Sequence, residues 1–155
     1  LLSHPKISNK FVKSLASRIK KKIKKIDIIL SPAMGGIIIG YEIGKILNKE
    51  TIFCERVNKK FVLRRGFEIK KNSKVLIVED VITTGKSSLE CVKLVKKSKA
   101  KLVGFACLIN RTKNKKLKNK IISQVKLDIP TFDKSNLPKY LKEMPISKPG
   151  SRFLR

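Results

Sequence analysis

A chain of 155 residues with 41% hydrophobic side chains and a net charge of +27 is long enough for one buried core and too apolar to be disordered. No apolar run approaches the roughly 20 residues of a membrane helix, and three cysteines with one histidine make a poor disulfide or metal set. Cys54, Cys91 and Cys107 each lie in an apolar context and read as reduced, buried thiols of a cytoplasmic protein. The lysines are spread over nearly every segment and arginine is scarce. The charge therefore reads as lysine replacing other surface residues, and nucleic acid is not expected as a partner. The opening LLSHPKISNK has no secretory pattern, and with no initiator methionine the chain is expected to be a fragment or a processed product.

Apolar residues at Ile7, Phe11, Leu15, Ile19, Ile23 and Ile26 predict an amphipathic helix over Lys6–Lys25, with Pro5 in its first turn and Ser3 or His4 near the cap. Ile26–Leu30 is a buried strand that ends in a turn of small residues, Ser31–Gly36, and a helix over Ile37–Leu47 leaves that turn. TIFCERV is the next strand, NKK turns the chain, and Phe61–Ile69 alternates as its hairpin partner. On that strand Arg64 and Arg65 face opposite sides. Lys74–Asp80 is a strand. The helix Ser87–Ala100 follows, with Leu89, Val92, Leu94 and Val95 on or near its core face. Lys101–Arg111 is a further strand. A lysine-rich loop, a strand over Ser123–Leu127, a short helix over Asn136–Lys142 and a tail complete the chain. Met34 is loop filler, His4 starts a helix, and Tyr41 and Phe67 read as core or semi-core. The order predicts one α/β domain over residues 1–155: a central parallel sheet flanked by helices, with its ligands beyond the carboxyl ends of the strands.

Two turns lie at such ends, Ser31–Gly36 and Asp80–Ser87. In the second, Gly85 permits a tight conformation, and the amides of Thr84–Ser88 converge at a helix start, where the partial charge is positive. Hydroxyls of Thr83, Thr84 and Ser87 add donors. This is a monophosphate cradle without the Walker spacing, and at Lys86 the amide is what is needed. Glu79 and Asp80 stand directly before it. Carboxylates there repel phosphate, so they call for another partner, and a ribose diol offers two hydroxyl donors. The bland alternative, a helix cap or a pair with surface lysines, explains one acid better than two.

VLIVEDVITTGKS resembles the phosphoribosyl-pyrophosphate motif of type I phosphoribosyltransferases. SPAMGGIIIGYEIGKIL resembles the diphosphate turn of the orotate phosphoribosyltransferases, FCERVNKKFVLRRGFEI their short-loop catalytic hairpin, and ACLINR the strand that ends in an orotate-binding arginine. LDIPTF and PGSR resemble their C-terminal segment. The resemblance implies that Glu79 and Asp80 hold the ribose hydroxyls. Thr83, Thr84, Gly85, Lys86 and Ser87 hold the 5′-phosphate, with Thr83 also facing the base. The backbone of Ala33, Met34, Gly35 and Gly36 receives the diphosphate. Arg56 contacts diphosphate at the root of a loop whose charge comes from Lys59 or Lys60, and Arg111 pairs with the orotate carboxylate. It implies Mg2+ carried on the substrate, with no direct protein ligand set, and a homodimer whose loop reaches the neighbouring site. Family members begin earlier, with a segment that covers orotate, and that segment is expected to be missing. The chain departs from the pattern at Arg56-Val57, where longer-loop relatives have Arg-Lys, and at LPKY, where many short-loop relatives have a cysteine pair. The competing readings are another nucleobase acceptor and a nonenzymatic nucleotide- or RNA-binding regulator on the same fold.

Overall fold

The computed structural model describes residues 2–114, 117, 120–130, 132 and 134–145. The tail from 146 onward, with PGSR, and part of the lysine-rich loop lie outside them. The elements are α1 (Pro5–Lys22), β1 (Ile28–Pro32), α2 (Gly35–Leu47), β2 (Glu50–Val57), β3 (Lys60–Leu63), β4 (Lys74–Ile82), α3 (Lys86–Lys97), β5 (Lys101–Asn110) and β6 (Ile121–Lys126). A single 3-10 turn (Lys134–Asn136) and the short α4 (Lys139–Lys142) follow. Among the described residues no helix is long and apolar enough to cross a membrane.

The six strands form one sheet in the order β3-β2-β1-β4-β5-β6. All neighbours run parallel except β3, which returns antiparallel along β2. The inner strands are apolar on both faces, as a sheet covered by helices on both sides demands. One face packs Ile29, Leu76, Val78 and Ala106 against Val12, Leu15 and Ile19 of α1 and Ile39 and Ile43 of α2. The other packs Leu30, Cys54, Ile77 and Phe105 against Cys91 and Val95 of α3, with Leu117 beside them. All three cysteines are free and buried, and Cys54 Sγ lies 3.5 Å from Cys91 Sγ. β1 sends the chain through α2 to one side, and β4 sends it through α3 to the other. The order of the sheet therefore reverses between β1 and β4, which is where such folds bind ligands.

Several expectations need correction. The expected stripe on α1 advances in steps of four, and each step rotates it by about 40° on a 3.6-residue helix. Its early members miss the core: Ile7 is 53% and Phe11 37% exposed, while Ser8, Val12, Leu15, Ala16 and Ile19 are buried. On α3 Val95 is buried and Val92 and Leu94 pack against the core as expected, but Leu89 is exposed, and the buried row is Ser88, Cys91 and Val95. Tyr41 is exposed on the outer side of α2, whereas Phe67 is half-buried with its ring edge-on to Phe53. Strand β3 stops at Leu63, so Arg64 and Arg65 do not alternate across a sheet. Arg65 takes φ 61°, and both guanidinium groups approach Glu55, at 3.9 and 3.3 Å.

Candidate active site

The first turn begins where β1 runs out. Ala33 N–H donates to the Cys54 carbonyl across to β2, and α2 starts at Gly35, two residues earlier than its periodicity suggests. The Ala33–Met34 peptide is cis. Gly35 is exposed, and a methyl group there would lie 2.5 Å from Asp80 Oδ2, so the first helical residue must be bare for the carboxylate to sit above it. Gly36 is buried, its Cα turned toward the Val78 carbonyl and Pro32. The turn therefore presents main-chain groups with almost no side-chain cover, as backbone binding of an anion requires.

The second turn leaves β4, which runs two residues past the acidic pair to Ile82. Gly85 caps α3 at φ 75°, a conformation that a side chain resists, and a Cβ there would strike Leu117. The cleft lined by Glu79, Val81, Ile82, Thr83, Thr84, Gly85, Lys86 and Ser87 has a volume of about 40 Å³. That is a few times the ~10–15 Å³ needed for one water, which suits a compact tetrahedral anion. Lys86 is exposed, and its N–H donates to Thr84 Oγ1 at 3.3 Å.

The acidic pair divides between the two faces of the sheet, because consecutive strand residues point opposite ways. Glu79 turns toward α3, where it is 8% exposed and accepts a hydrogen bond from the fully buried Ser88 hydroxyl. Asp80 turns toward α2, half-buried above Gly35, with Oδ1 accepting its neighbour Val81 N–H at 2.8 Å. The two acids expected to hold the ribose hydroxyls therefore lie in unlike surroundings. One is anchored in the wall of the cleft, and one stands at the mouth of the first turn. From the sequence Ser88 is expected to offer only its amide, and the structure gives its hydroxyl a role. It sits at a core position of α3, three residues before Cys91 and seven before Val95, and a polar residue in such a row signals a buried partner.

Arg111 follows β5 directly. Its N–H donates to the Ile82 carbonyl at 2.8 Å, which places the residue beside Thr83, with its side chain exposed. Asn110, buried at the end of β5, accepts the Thr112 N–H and helps fix that turn. The hairpin turns on Asn58 and Lys59, both at positive φ (49° and 65°), in the two-residue form that matches strand twist. Lys59 and Lys60 are exposed at its tip. Arg56 does not point freely at the diphosphate turn. Its guanidinium pairs with Glu90 of α3 at 2.7 Å, donates to the Lys59 carbonyl at 2.8 Å and lies over the Phe61 ring at 4.1 Å.

A parallel sheet with two anion-ready turns at the ends of adjacent strands, and an acid between them, defines a class. The family described as phosphoribosyl transferase domain matches residues 1–143. Two curated relatives are orotate phosphoribosyltransferases. The one from Parvibaculum lavamentivorans is 43% identical over 97% of this chain and 79% of the relative, and the one from Erythrobacter litoralis 39% identical over 98% and 80%. The chain belongs to the phosphoribosyltransferase family and, within it, groups with the orotate phosphoribosyltransferases. Among solved structures, adenine phosphoribosyltransferase from Thermoanaerobacter pseudethanolicus superposes with a TM-score of 0.70 at 21% identity, covering 82% of this chain and 84% of that one. Orotate phosphoribosyltransferase from Aeropyrum pernix also gives 0.70, at 18% identity and 82% and 75% coverage. At such identities the likeness establishes the fold and leaves the acceptor base to the sequence relatives.

Proposed function

We propose that this enzyme transfers the phosphoribosyl group of 5-phosphoribosyl 1-pyrophosphate to orotate, giving orotidine 5′-phosphate and diphosphate, within de novo pyrimidine (UMP) biosynthesis. The observation that carries the phosphoribosyl half is the pair of bare turns at the ends of the adjacent strands β1 and β4, with Asp80 between them. The choice of orotate rests on the two curated relatives.

In this reading the 5′-phosphate sits on the Thr83–Ser87 turn at the start of α3, and the diphosphate on the Ala33–Gly36 turn at the start of α2. The helix ends and open amides favour the negative charge at both places. Asp80 takes a ribose hydroxyl and faces the ring as it gains oxocarbenium character. Glu79, held by Ser88, stiffens the wall on the opposite side. The C1–O bond to diphosphate breaks as the ring nitrogen of orotate closes on C1. The catalytic work is positioning and charge stabilisation, with no covalent intermediate on the protein. Lys59 and Lys60 supply mobile positive charge to the leaving group, and Arg111 matches the orotate carboxylate beside Thr83. Asp80, at the mouth of the first turn, would lie close to Mg2+ carried in by the substrate. When bound, the ion neutralises charge on the diphosphate. We further propose a cytoplasmic homodimer, for which the exposed apolar row Met34, Ile38 and Tyr41 on α2 provides a face.

The test is diphosphate release with orotate, uracil, hypoxanthine or adenine as acceptor. Orotate alone should support turnover. Asp80→Asn should lower kcat/KM by on the order of a hundredfold, as loss of one preorganised electrostatic contact does. Turnover with a purine in place of orotate would overturn the acceptor assignment, and a fully active Asp80→Asn enzyme would remove the role given to that carboxylate.

A further inference from the structure

Arg56 spends its guanidinium on three protein groups at once. One edge pairs with Glu90 Oε2, Nη1 donates to the carbonyl of Lys59 at the turn, and its face covers Phe61, its direct cross-strand partner. Glu90 lies on α3 one turn beyond the residues of the phosphate cleft. Its neighbour Cys91 touches Cys54, the residue two before Arg56 on the same face of β2. The strand that carries the hairpin and the helix that forms the phosphate cleft therefore meet along one seam, and the Arg56–Glu90 pair closes its outer end. A planar guanidinium serves these three directions together, which an ammonium cannot do.

We propose that Glu90 is a positioning residue. Acting through Arg56, it registers the hairpin tip, with Lys59 and Lys60, against α3, so that the lysines are presented to diphosphate from a fixed place on the body of the protein. This rests on the phosphoribosyl-transfer reading above. It also changes the part expected of Arg56, from a direct ligand of diphosphate to the staple that presents the lysines. Neither Glu90 nor the seam was visible in the sequence motifs. The pair is mostly shielded, with side-chain exposures of 36% for Arg56 and 20% for Glu90, so it is screened less than an open surface pair.

Calorimetric titration of the full chain with inorganic diphosphate and, separately, with ribose 5-phosphate tests the proposal. Glu90→Gln keeps the shape and removes the charge, and Arg56→Gln removes the other half. Each should weaken diphosphate about tenfold, and the double variant should be no weaker than either alone, as expected of two residues acting as one unit. Ribose 5-phosphate, which reads the cleft alone, should bind all of them within about twofold of the parent. In turnover, kcat should fall while KM for the acceptor holds. Arg56→Lys, which keeps the charge and loses the fork, offers a route independent of Glu90 and should lose diphosphate affinity as Arg56→Gln does. Parent-like diphosphate binding in Glu90→Gln or Arg56→Lys would overturn the proposal. So would additive losses in the double variant, or a parallel loss of ribose 5-phosphate. Diphosphate binding needs no acceptor base, so a parent enzyme inert toward orotate would end the acceptor assignment and leave this comparison readable.

Discussion

A carboxylate on a strand covered on both faces has two environments open to it, and Glu79 and Asp80 take one each. Glu79 is buried, and the Ser88 hydroxyl gives its carboxyl group a hydrogen-bond partner there. Asp80 stays half-buried with Oδ2 over bare Gly35. The same covered interior sets the chemistry of the thiols. Burial pushes Cys107 up to about 12, and the Cys54 thiol beside Cys91, together with burial, pushes Cys91 further up. A thiol is neutral when protonated. Above its ordinary pKa of 9.0 the unfolded chain has therefore lost a proton that the folded chain keeps. The contribution of Cys107 to stability is whole below that pH and falls as pH rises toward about 12. The slope is about 1.4 kcal/mol per pH unit at most. Urea unfolding of the parent and of Cys107→Ala should give a stability gap that is constant up to pH 9 and narrows above it. A gap that stays constant to pH 11 would show that the thiol ionises equally in both states.

At the scale of elements, α2 shows why a helix holds three glycines besides Gly35 at its start. Gly36, Gly40 and Gly44 recur every four residues on the side turned to the sheet. A Cβ at Gly40 would strike Ser31 Oγ, and one at Gly44 would strike Thr51 Oγ1. Glycine costs the helix about 1 kcal/mol per residue against alanine. In return α2 lies close on β1 and β2, with its bare first turn at the end of β1. Gly40→Val should lower the unfolding free energy by about 1–3 kcal/mol through overpacking, in spite of its better helix propensity. Since the helix start moves with the helix, affinity for diphosphate should fall as well. Denaturant melts and diphosphate titration of the same sample check both. A variant as stable as the parent would mean that the contact can relax. The α1 stripe teaches the converse: spacing by four named a helix correctly and found Leu15 and Ile19 on its buried side but misplaced the first turns, because the rotation accumulates along its length.

At the scale of the whole molecule, the sheet order puts β1 beside β4 although a helix and a hairpin separate them in the chain. That adjacency brings the two turns together at one end of the sheet, where the proposed donor site lies. The outer side of α2 carries Ile38 and Tyr41, at 54 and 62% exposure, in line with Met34 at 82% just before the helix. An apolar row of this kind is costly to leave in water and suits a self-complementary contact. If this row forms the homodimer, Ile38→Glu should shift the protein from dimer to monomer in sedimentation velocity, with the unfolding transition little changed. A variant that remains dimeric would place the contact elsewhere.

By itself the sequence determined the order of strands and helices, the two small-residue turns and the acids before the cradle. These are local properties: apolar runs, glycine spacing and hydroxyl-rich turns act over a few neighbouring residues. What only the tertiary structure decided was which groups face each other across the sheet. Glu79 goes to Ser88, Asp80 to Gly35 and Arg56 to Glu90, while Arg64 and Arg65 fold back on Glu55. Such partners lie nine or more residues apart in the chain, and they are set by strand register and helix rotation, which no local pattern encodes.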